Sequence, residues 1–569
     1  MMETGKFEIQ EVPIGTPFFR SQVEGFLEAN GLRLEDVDTY FSLQDTEGRM
    51  VAGGGIKRDV LKCIAVSEAV RSEGLVIPLI SRLISVGAEN GYTDLKVFTK
   101  PENRMVFESL GFHVIAQAPQ AVLLENGKGL DEYCTYLCAL RKPGRCGAVV
   151  MNANPFTWGH RYLAQKAIQD VEALYILVVK EDCSRFSYPE RLEMVRRGAP
   201  DGAVVCEGSD YAVSATTFPT YFLKDLSDAS ETQMRLDLDL FGRRIAPALG
   251  VSIRFVGSEP SDPLTARYNA LMQEVLPGYG IQVVEIPRLC DTDGHPVSGS
   301  RVRMALDTGC FRGAARLTPP AAYPCLLADL VARALQMELE ASDKPGLVGP
   351  DGSGAHADMD FALMQGSIDV IRRSYVQHFS DRPEDMVAFG MAVEADVLQY
   401  TGGINTHRGA IFSQILLSCA ILTACPEMEP SVLQAAIRRQ VSQVPPGARS
   451  HGAAAVKDYG VKGALQMARD GYKDLFDDWL PFYRSVKEEP YGLQKTLLDI
   501  MSTLDDTCVI HRVGYGRAQE VKAEAAALLK DFDIDTLKEM NLRYSTQRVS
   551  PGGSADMLAL TVLADSLLS

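Results

Sequence analysis

Apolar positions along the chain follow first one period and then another. Short apolar runs at 50–52 and 63–66 read as strands, and after Gly74 the residues Leu79, Ile80, Leu83 and Ile84 share one helical face. A further strand at 95–99 leads into a helical stretch from 103, and Lys142-Pro143-Gly144-Arg145 reads as a linker. The apolar run 147–151 opens a second segment. A helix with Leu163, Ala167 and Ile168 on one face follows, and then a strand at 174–179. Strand, helix and strand at this spacing imply a right-handed crossover in a parallel sheet, which 252–257 and 281–286 extend. Beyond Leu317-Thr318-Pro319-Pro320 long helical stretches take over, at 322–340, 359–379, 386–401, 409–424 and 516–530, without β alternation. The pattern predicts three domains: an α+β domain over 1–145, a doubly wound α/β domain over 146–315, and an all-α domain over 316–569.

Composition changes this picture little. At 569 residues the chain is too long for one core, and 46% hydrophobic with 23% charged residues is ordinary for globular proteins. A net charge of -17 argues against non-specific nucleic-acid binding, which runs on Lys and Arg neutralising phosphates. It leaves room for an anionic ligand held locally by backbone N–H groups or an arginine. The first residues lack a basic and apolar leader pattern, and the apolar run 411–424 is interrupted by Ser413, Gln414 and Ser418. A soluble, cytoplasmic chain with no membrane partner is the expectation. Twelve cysteines without a CxxC pair read as reduced thiols.

Two groups of residues carry chemistry. Thr157-Trp158-Gly159-His160 sits after a strand and opens a helix, whose free N–H groups and positive end suit a phosphate. Ser298-Gly299-Ser300-Arg301-Val302-Arg303 enters a helix far downstream and offers hydroxyls and guanidiniums. Paired across a sheet, the two elements suit attack on an α-phosphate with pyrophosphate leaving. The later helical segment holds three Gly-rich polar loops: Lys344 to Asp360, Thr401 to Ala410, and Ser550 to Asp556. Asp358 with Asp360 and Asp505 with Asp506 flank them, as hard oxygen ligands suited to Mg²⁺ on a nucleotide's phosphates. Taken singly, either pair fits plain stabilisation of a helix N-terminus better, and it is the three loops together that point to a phosphate site.

The first group resembles the HxGH nucleotidyltransferase superfamily, with Thr157 where the first His stands. The stretches 151–163, 214–224, Gly257-Ser258-Glu259-Pro260 and 265–269 are similar to citrate lyase ligase. That resemblance implies ATP-dependent activation of acetate as acetyl-adenylate, then acetylation of the thiol on the lyase's acyl carrier subunit. It points to His160 and Arg303 as catalytic, with Asn154, Thr157, Gly159, Ser298, Ser300 and Arg301 binding ATP. Arg71-Ser72-Glu73-Gly74-Leu75 resembles the pyrophosphate loop of GNAT acetyltransferases, with Val76 where a small residue is usual. A GNAT-like N-terminal domain follows, either active or serving to dock the pantetheine-like arm.

The helical strings KPGLV…GAHADMD, TGGINTHRGAIFS, TLDDT and SPGGSADMLALT closely resemble the triphosphoribosyl-dephospho-CoA synthases. That implies transfer of the triphosphoribosyl part of ATP onto 3'-dephospho-CoA with release of adenine. The resemblance offers Asp358, Asp360, Asp505 and Asp506 as catalytic and Mg²⁺-binding carboxylates. Lys344, His356, Gly402, Gly403, Asn405, His407, Ser550, Gly552 and Gly553 become candidate ligand-binding residues. Gly349-Pro350 stands where the family more often has Asp-Arg. Two alternatives stay open: a GNAT acetyltransferase joined to a pantetheine-phosphate-type adenylyltransferase, and a non-catalytic CoA- or nucleotide-binding module.

Overall fold

The structure is a computed structural model, and it describes residues 7–180, 184–211, 229–259, 262–380, 382, 385–424, 429–442, 444 and 458–569. Contacts divide the chain between Val297 and Ser298 into two compact units.

The first unit holds two sheets. Seven strands, β1 (Glu8–Val12), β2 (Thr39–Gln44), β3 (Met50–Lys57), β4 (Val60–Val66), β5 (Lys96–Thr99), β6 (His113–Gln117) and β7 (Val122–Glu125), lie in the order β1-β2-β3-β4-β5-β7-β6. Neighbours are antiparallel except β4 and β5, which pair in parallel at Val60 with Lys96 and Leu61 with Val97. The helix Val76–Glu89 buries Leu79, Ile80 and Leu83 against this sheet, as the helical spacing predicts. Gly54 on β3 lets that helix come close, because a Cβ there would lie 3.2 Å from the Leu83 side chain.

The second sheet is all parallel. Its strands are β8 (Cys146–Met151), β9 (Ala173–Val178), β10 (Val204–Cys206), β11 (Val251–Gly257) and β12 (Gln282–Ile286), in the order β10-β9-β8-β11-β12. The chain starts at the centre, builds outward through β9 and β10, then returns to add β11 and β12 on the other side. The strand order therefore reverses between β8 and β11, where loops at the carboxyl ends diverge and leave a crevice. β9 is buried at all six positions, the continuous apolar run that a sheet covered on both faces requires.

The second unit is helical, and no named strand occurs among its described residues. Helices at Tyr323–Glu340, Phe361–His378, Met386–Tyr400, Arg408–Ala424 and Tyr515–Lys530 stand close to their expected positions. The helix Gly552–Leu568 is apolar nearly all round, buries Met557 to Asp565, and packs against Tyr323–Glu340, Arg408–Ala424 and Gly492–Thr503. Its first turn contains part of the third Gly-rich string. With no polar face it lacks the helical period that marked the others.

One acidic pair in this unit has a measurable consequence. Half-burial, with Asp478 nearby, pushes the Asp499 carboxyl up to about 6. Its folded value lies above the unfolded one, so ionisation above pH 6 works against the fold, and the penalty fades as pH falls toward 4. Asp499→Asn is expected to raise stability at pH 8 by about 1–2 kcal/mol after allowance for solvent screening. Urea unfolding at pH 8 and pH 4.5 checks this, and the gain should shrink at the lower pH.

Candidate active sites

The crevice of the first unit is built by the loop after β8. Thr157 is the N-cap of the helix Trp158–Ala167, in a capping box with His160. The Thr157 N–H donates to His160 Nδ1 at 3.0 Å, and Thr157 Oγ1 lies 2.8 Å from the same nitrogen. A ring nitrogen that accepts a backbone N–H carries no proton, so the neutral imidazole holds its hydrogen on Nε2. Burial, with the Arg288 guanidinium nearby, lowers the His160 pKa to about 4. His160 is thus a neutral Nε2–H donor at pH 7, stacked on the buried Phe156 ring at 5.8 Å. Gly159 is needed for close approach, because a Cβ there would stand 2.8 Å from the Val297 carbonyl oxygen.

Residues that sequence reasoning missed frame this loop. Arg191 is fully buried, and its guanidinium donates to Asn152 O, Asn152 Oδ1, Val179 O and Phe186 O. It thereby ties the loop after β8 to the end of β9. In the sequence it looks like a surface arginine in a charged helix. The Phe186 N–H donates to Asn154 Oδ1 at 3.3 Å, which gives Asn154 a role in shaping the loop. Beyond β11 and β12, Arg288 forms an ion pair with the buried Glu259 carboxylate, and its N–H donates to Ser258 Oγ. The stretch 214–224, together with Pro260, lies outside the described residues.

Ser298 caps the helix Gly299–Asp307 in the second unit through Arg301 N–H, and Arg303 donates to Ser300 Oγ at 3.0 Å. The candidate residues of the helical core fall into clusters. Arg512 donates to His356 Nδ1 at 3.1 Å, so the other ring nitrogen, 2.8 Å from Ser550 Oγ, is the one that carries hydrogen. Lys344 is buried, its ammonium donating to Glu338 O and Oε1 at 2.5 Å. His407 is 4% exposed with no hydrogen-bond partner at either ring nitrogen among the described residues, and burial, with Lys344 nearby, lowers its pKa to about 4.

The four candidate carboxylates are not brought together as a metal cage. Asp506 Oδ1 accepts from Cys508, Val509 and Gly553 N–H, and Oδ2 from Ser554 N–H and Oγ–H. Burial raises its pKa while these donors pull the other way. Five donors leave its oxygens little capacity for a cation, and they tie the helix starts at Thr507 and Gly552 to each other. Asp505 is paired with Lys522 at 2.8 Å. Asp360 caps Phe361–His378, and Asp358 is exposed. No cluster of three or more His, Cys, Asp or Glu able to hold a metal occurs among the described residues. Gly402, Gly403 and Asn405 are exposed in the loop before Arg408–Ala424, both glycines with positive φ. Glu338, Arg512, Ser554 and Asp556 are the neighbours that sequence spacing did not single out.

Fold and sites together define a fusion of a parallel α/β unit, with its crevice at the strand-order reversal, and a helical unit with polar clusters at helix starts. The family model described as citrate lyase ligase C-terminal domain matches residues 146–326, and that described as ATP:dephospho-CoA triphosphoribosyl transferase matches 325–569. A [citrate [pro-3S]-lyase] ligase of Klebsiella pneumoniae is 41% identical over 317 residues, covering 54% of this chain and 92% of that protein. The ligase of Escherichia coli (strain K12) is 39% identical, covering 52% and 88%. A 2-(5''-triphosphoribosyl)-3'-dephosphocoenzyme-A synthase of Klebsiella pneumoniae is 32% identical over 263 residues, covering 41% and 87%. The chain belongs to both families, the citrate lyase ligases and the triphosphoribosyl-dephospho-CoA synthases, in that order along its length.

Proposed function

We propose that the chain is a bifunctional maturation enzyme for citrate lyase. Its first activity activates acetate with ATP, forming acetyl-adenylate and pyrophosphate, and passes the acetyl group to the thiol of the lyase's carrier subunit with release of AMP. Its second activity joins the triphosphoribosyl part of ATP to 3'-dephospho-CoA and releases adenine. The observation that carries the first is the Nε2–H donor of His160 at the crevice of the parallel sheet. That donor is held before substrate arrives, and a fixed donor stabilises negative charge developing on the α-phosphate without reorganisation cost. The carboxylate oxygen of acetate bonds to the α-phosphorus as the bond to pyrophosphate breaks. Ser298, Ser300, Arg301 and Arg303 are the proposed ligands of the nucleotide's other phosphates.

The central α/β domain is read as an HxGH-type nucleotidyltransferase, the N-terminal part as GNAT-like, and the remainder as the all-helical synthase, with the 1–145, 146–315 and 316–569 boundaries kept. The order β1-β2-β3-β4-β5-β7-β6, with β4 and β5 parallel and paired at two positions, supports the GNAT reading. In the proposed role this domain receives the pantetheine-like arm of the carrier. Mg²⁺ is expected to come with ATP on its phosphates, since the described carboxylates form no cage of their own. The lyase itself acts on a soluble metabolite, so a cytoplasmic location is part of the proposal, and no described helix is long and apolar enough to cross a membrane.

Omission experiments test this reading. AMP should appear only when acetate and deacetylated citrate lyase are both present, and adenine only when dephospho-CoA is present. AMP formed without acetate would favour a plain adenylyltransferase. Absence of both products would favour a non-catalytic module.

A further inference from the structure

The helical unit contains a carboxylate that neither the spacing of acidic pairs nor the relatives' names assign. Asp556 lies in the first turn of the buried helix Gly552–Leu568. Its carboxylate reaches across to the start of the helix Arg408–Ala424, where the Ala410 N–H donates to it. Gly409 makes that approach feasible, because a Cβ there would fall 2.0 Å from Asp556 Oδ2. No side chain of any size fits between these two helix starts.

The groups around Asp556 are either fully engaged or without partners. Glu338 is paired with Lys344, and Asp506 is wrapped by its five donors. The Cys508 thiol, at an exposed residue, lies near both aspartates, and desolvation together with their charges raises its pKa. Against these stand two buried polar side chains that find no partner among the described residues. The Tyr472 hydroxyl lies near Asp556 and has no hydrogen-bond partner among the described residues, although the residue is 2% exposed. His407, two residues before Gly409 and 4% exposed, has two unpartnered ring nitrogens. Unpaired buried polar atoms are costly, so these donors and acceptors point to a ligand that completes them.

The local charge says which part of a ligand that is. The Glu338 and Asp506 carboxylates, with the one ammonium already paired to Glu338, offer a triphosphate no attraction, while a neutral imidazole and a phenol suit an uncharged heterocycle with ring nitrogens and an exocyclic amine. Burial, then the neighbouring Asp506 and Glu338 charges, hold the Asp556 carboxyl well above the usual carboxylate range. A carboxyl that holds its proton more tightly than usual, beside groups that suit a purine, can give that proton up to a leaving group.

We propose that Asp556 is the general acid of the helical unit, protonating the departing adenine. This rests on the triphosphoribosyl-transfer reading given above. A ribose hydroxyl oxygen of dephospho-CoA bonds to C1 of the nucleotide's ribose as the C1–N9 bond breaks. The electron pair of that bond goes to the purine, and the Asp556 proton neutralises it at a ring nitrogen. The hydroxyl proton then returns to the carboxylate through solvent, so charge and protons balance over the cycle.

The test uses the full chain with dephospho-CoA and either ATP or an ATP analogue methylated at N7, whose base leaves neutral without taking a proton. Asp556→Asn should slow base release from ATP by about 10²–10⁴-fold. On the methylated analogue the loss should be under about tenfold, because the acid has no work there. Equal losses on both nucleotides, or an unimpaired rate with ATP, would overturn the proposal. If the variant does not fold by circular dichroism, the wild-type chain decides. Its rate with ATP should fall as pH rises and the acid loses its proton, and the rate with the analogue should not. The same alkaline fall with both nucleotides contradicts the assignment. A wild-type chain that releases no adenine at all overturns the transfer reading itself, and the role of Asp556 with it.

Discussion

Replacing His160 by alanine should cut acetate-dependent AMP formation about 10²–10³-fold, the range seen when a single preorganised hydrogen-bond donor is removed. Adenine release should stay within about twofold of wild type, because His160 belongs to the first unit and the synthase strings to the second. The imidazole is held in one tautomer by the Thr157 N–H and stands at the strand-order reversal. His160→Asn offers a donor without the ring and should recover part of the loss. The low pKa sets a further expectation. The folded value of about 4 lies below that of a free histidine, so the neutral donor persists as pH falls from 7 to 5. The unfolded chain takes up a proton here from about pH 6.5 downward while the folded chain does not, so this group lowers stability progressively between about pH 6.5 and about 4. A kcat profile that loses activity at pH 6 through this group would contradict the hydrogen-bond assignment.

Lys344→Met should destabilise the helical unit by about 3–5 kcal/mol, because it leaves the Glu338 carboxylate buried without its partner. The two groups are 1% and 8% exposed at the side chain and sit 2.5 Å apart. Desolvating a charge costs more than a surface pair returns, and the ammonium also donates to the Glu338 carbonyl. The double variant Lys344→Met/Glu338→Gln removes both charges and should recover most of the loss. Urea unfolding of the full chain, followed by circular dichroism, separates the two. A single variant as stable as wild type would mean that Glu338 finds another partner, and a double variant no better than the single would mean that the packing matters more than the charge. Lys344 also sits beside His407, so its loss should raise the pKa of that ring.

The centre of the parallel sheet was readable because β8 and β9 are buried on both faces and appear as apolar runs bounded by turns, whereas β10, three residues long, gave too short a run to find. The amphipathic helices were readable from their stripes, Leu79, Ile80 and Leu83 among them. The helix Gly552–Leu568 was not, since a helix buried on every side has no stripe to find. The candidate loop at Thr157–His160 could be placed because a strand, a turn and a helix start follow one another in the chain. The proton on its ring could not, because it depends on a backbone N–H three residues away meeting one nitrogen rather than the other. Acidic pairs drew attention to Asp505 and Asp506, yet a carboxylate's role depends on what surrounds it in space. Asp506 is consumed by five donors from two helix starts, and Asp556, isolated in sequence, lies where polar groups lack partners. Arg191 gave no sign of its burial because its four acceptors lie at three separate places in the chain.

The central claim is that one chain runs two ATP chemistries that break different bonds. It is tested most directly by incubating the wild-type chain with ATP carrying ¹⁴C in the purine ring, together with acetate, deacetylated citrate lyase and dephospho-CoA. A single chromatogram then separates the products. The label should appear both in AMP, from cleavage at the α-phosphate, and in free adenine, from cleavage at the ribose. Label confined to one of the two would contradict the bifunctional account and leave the other unit without the activity proposed for it.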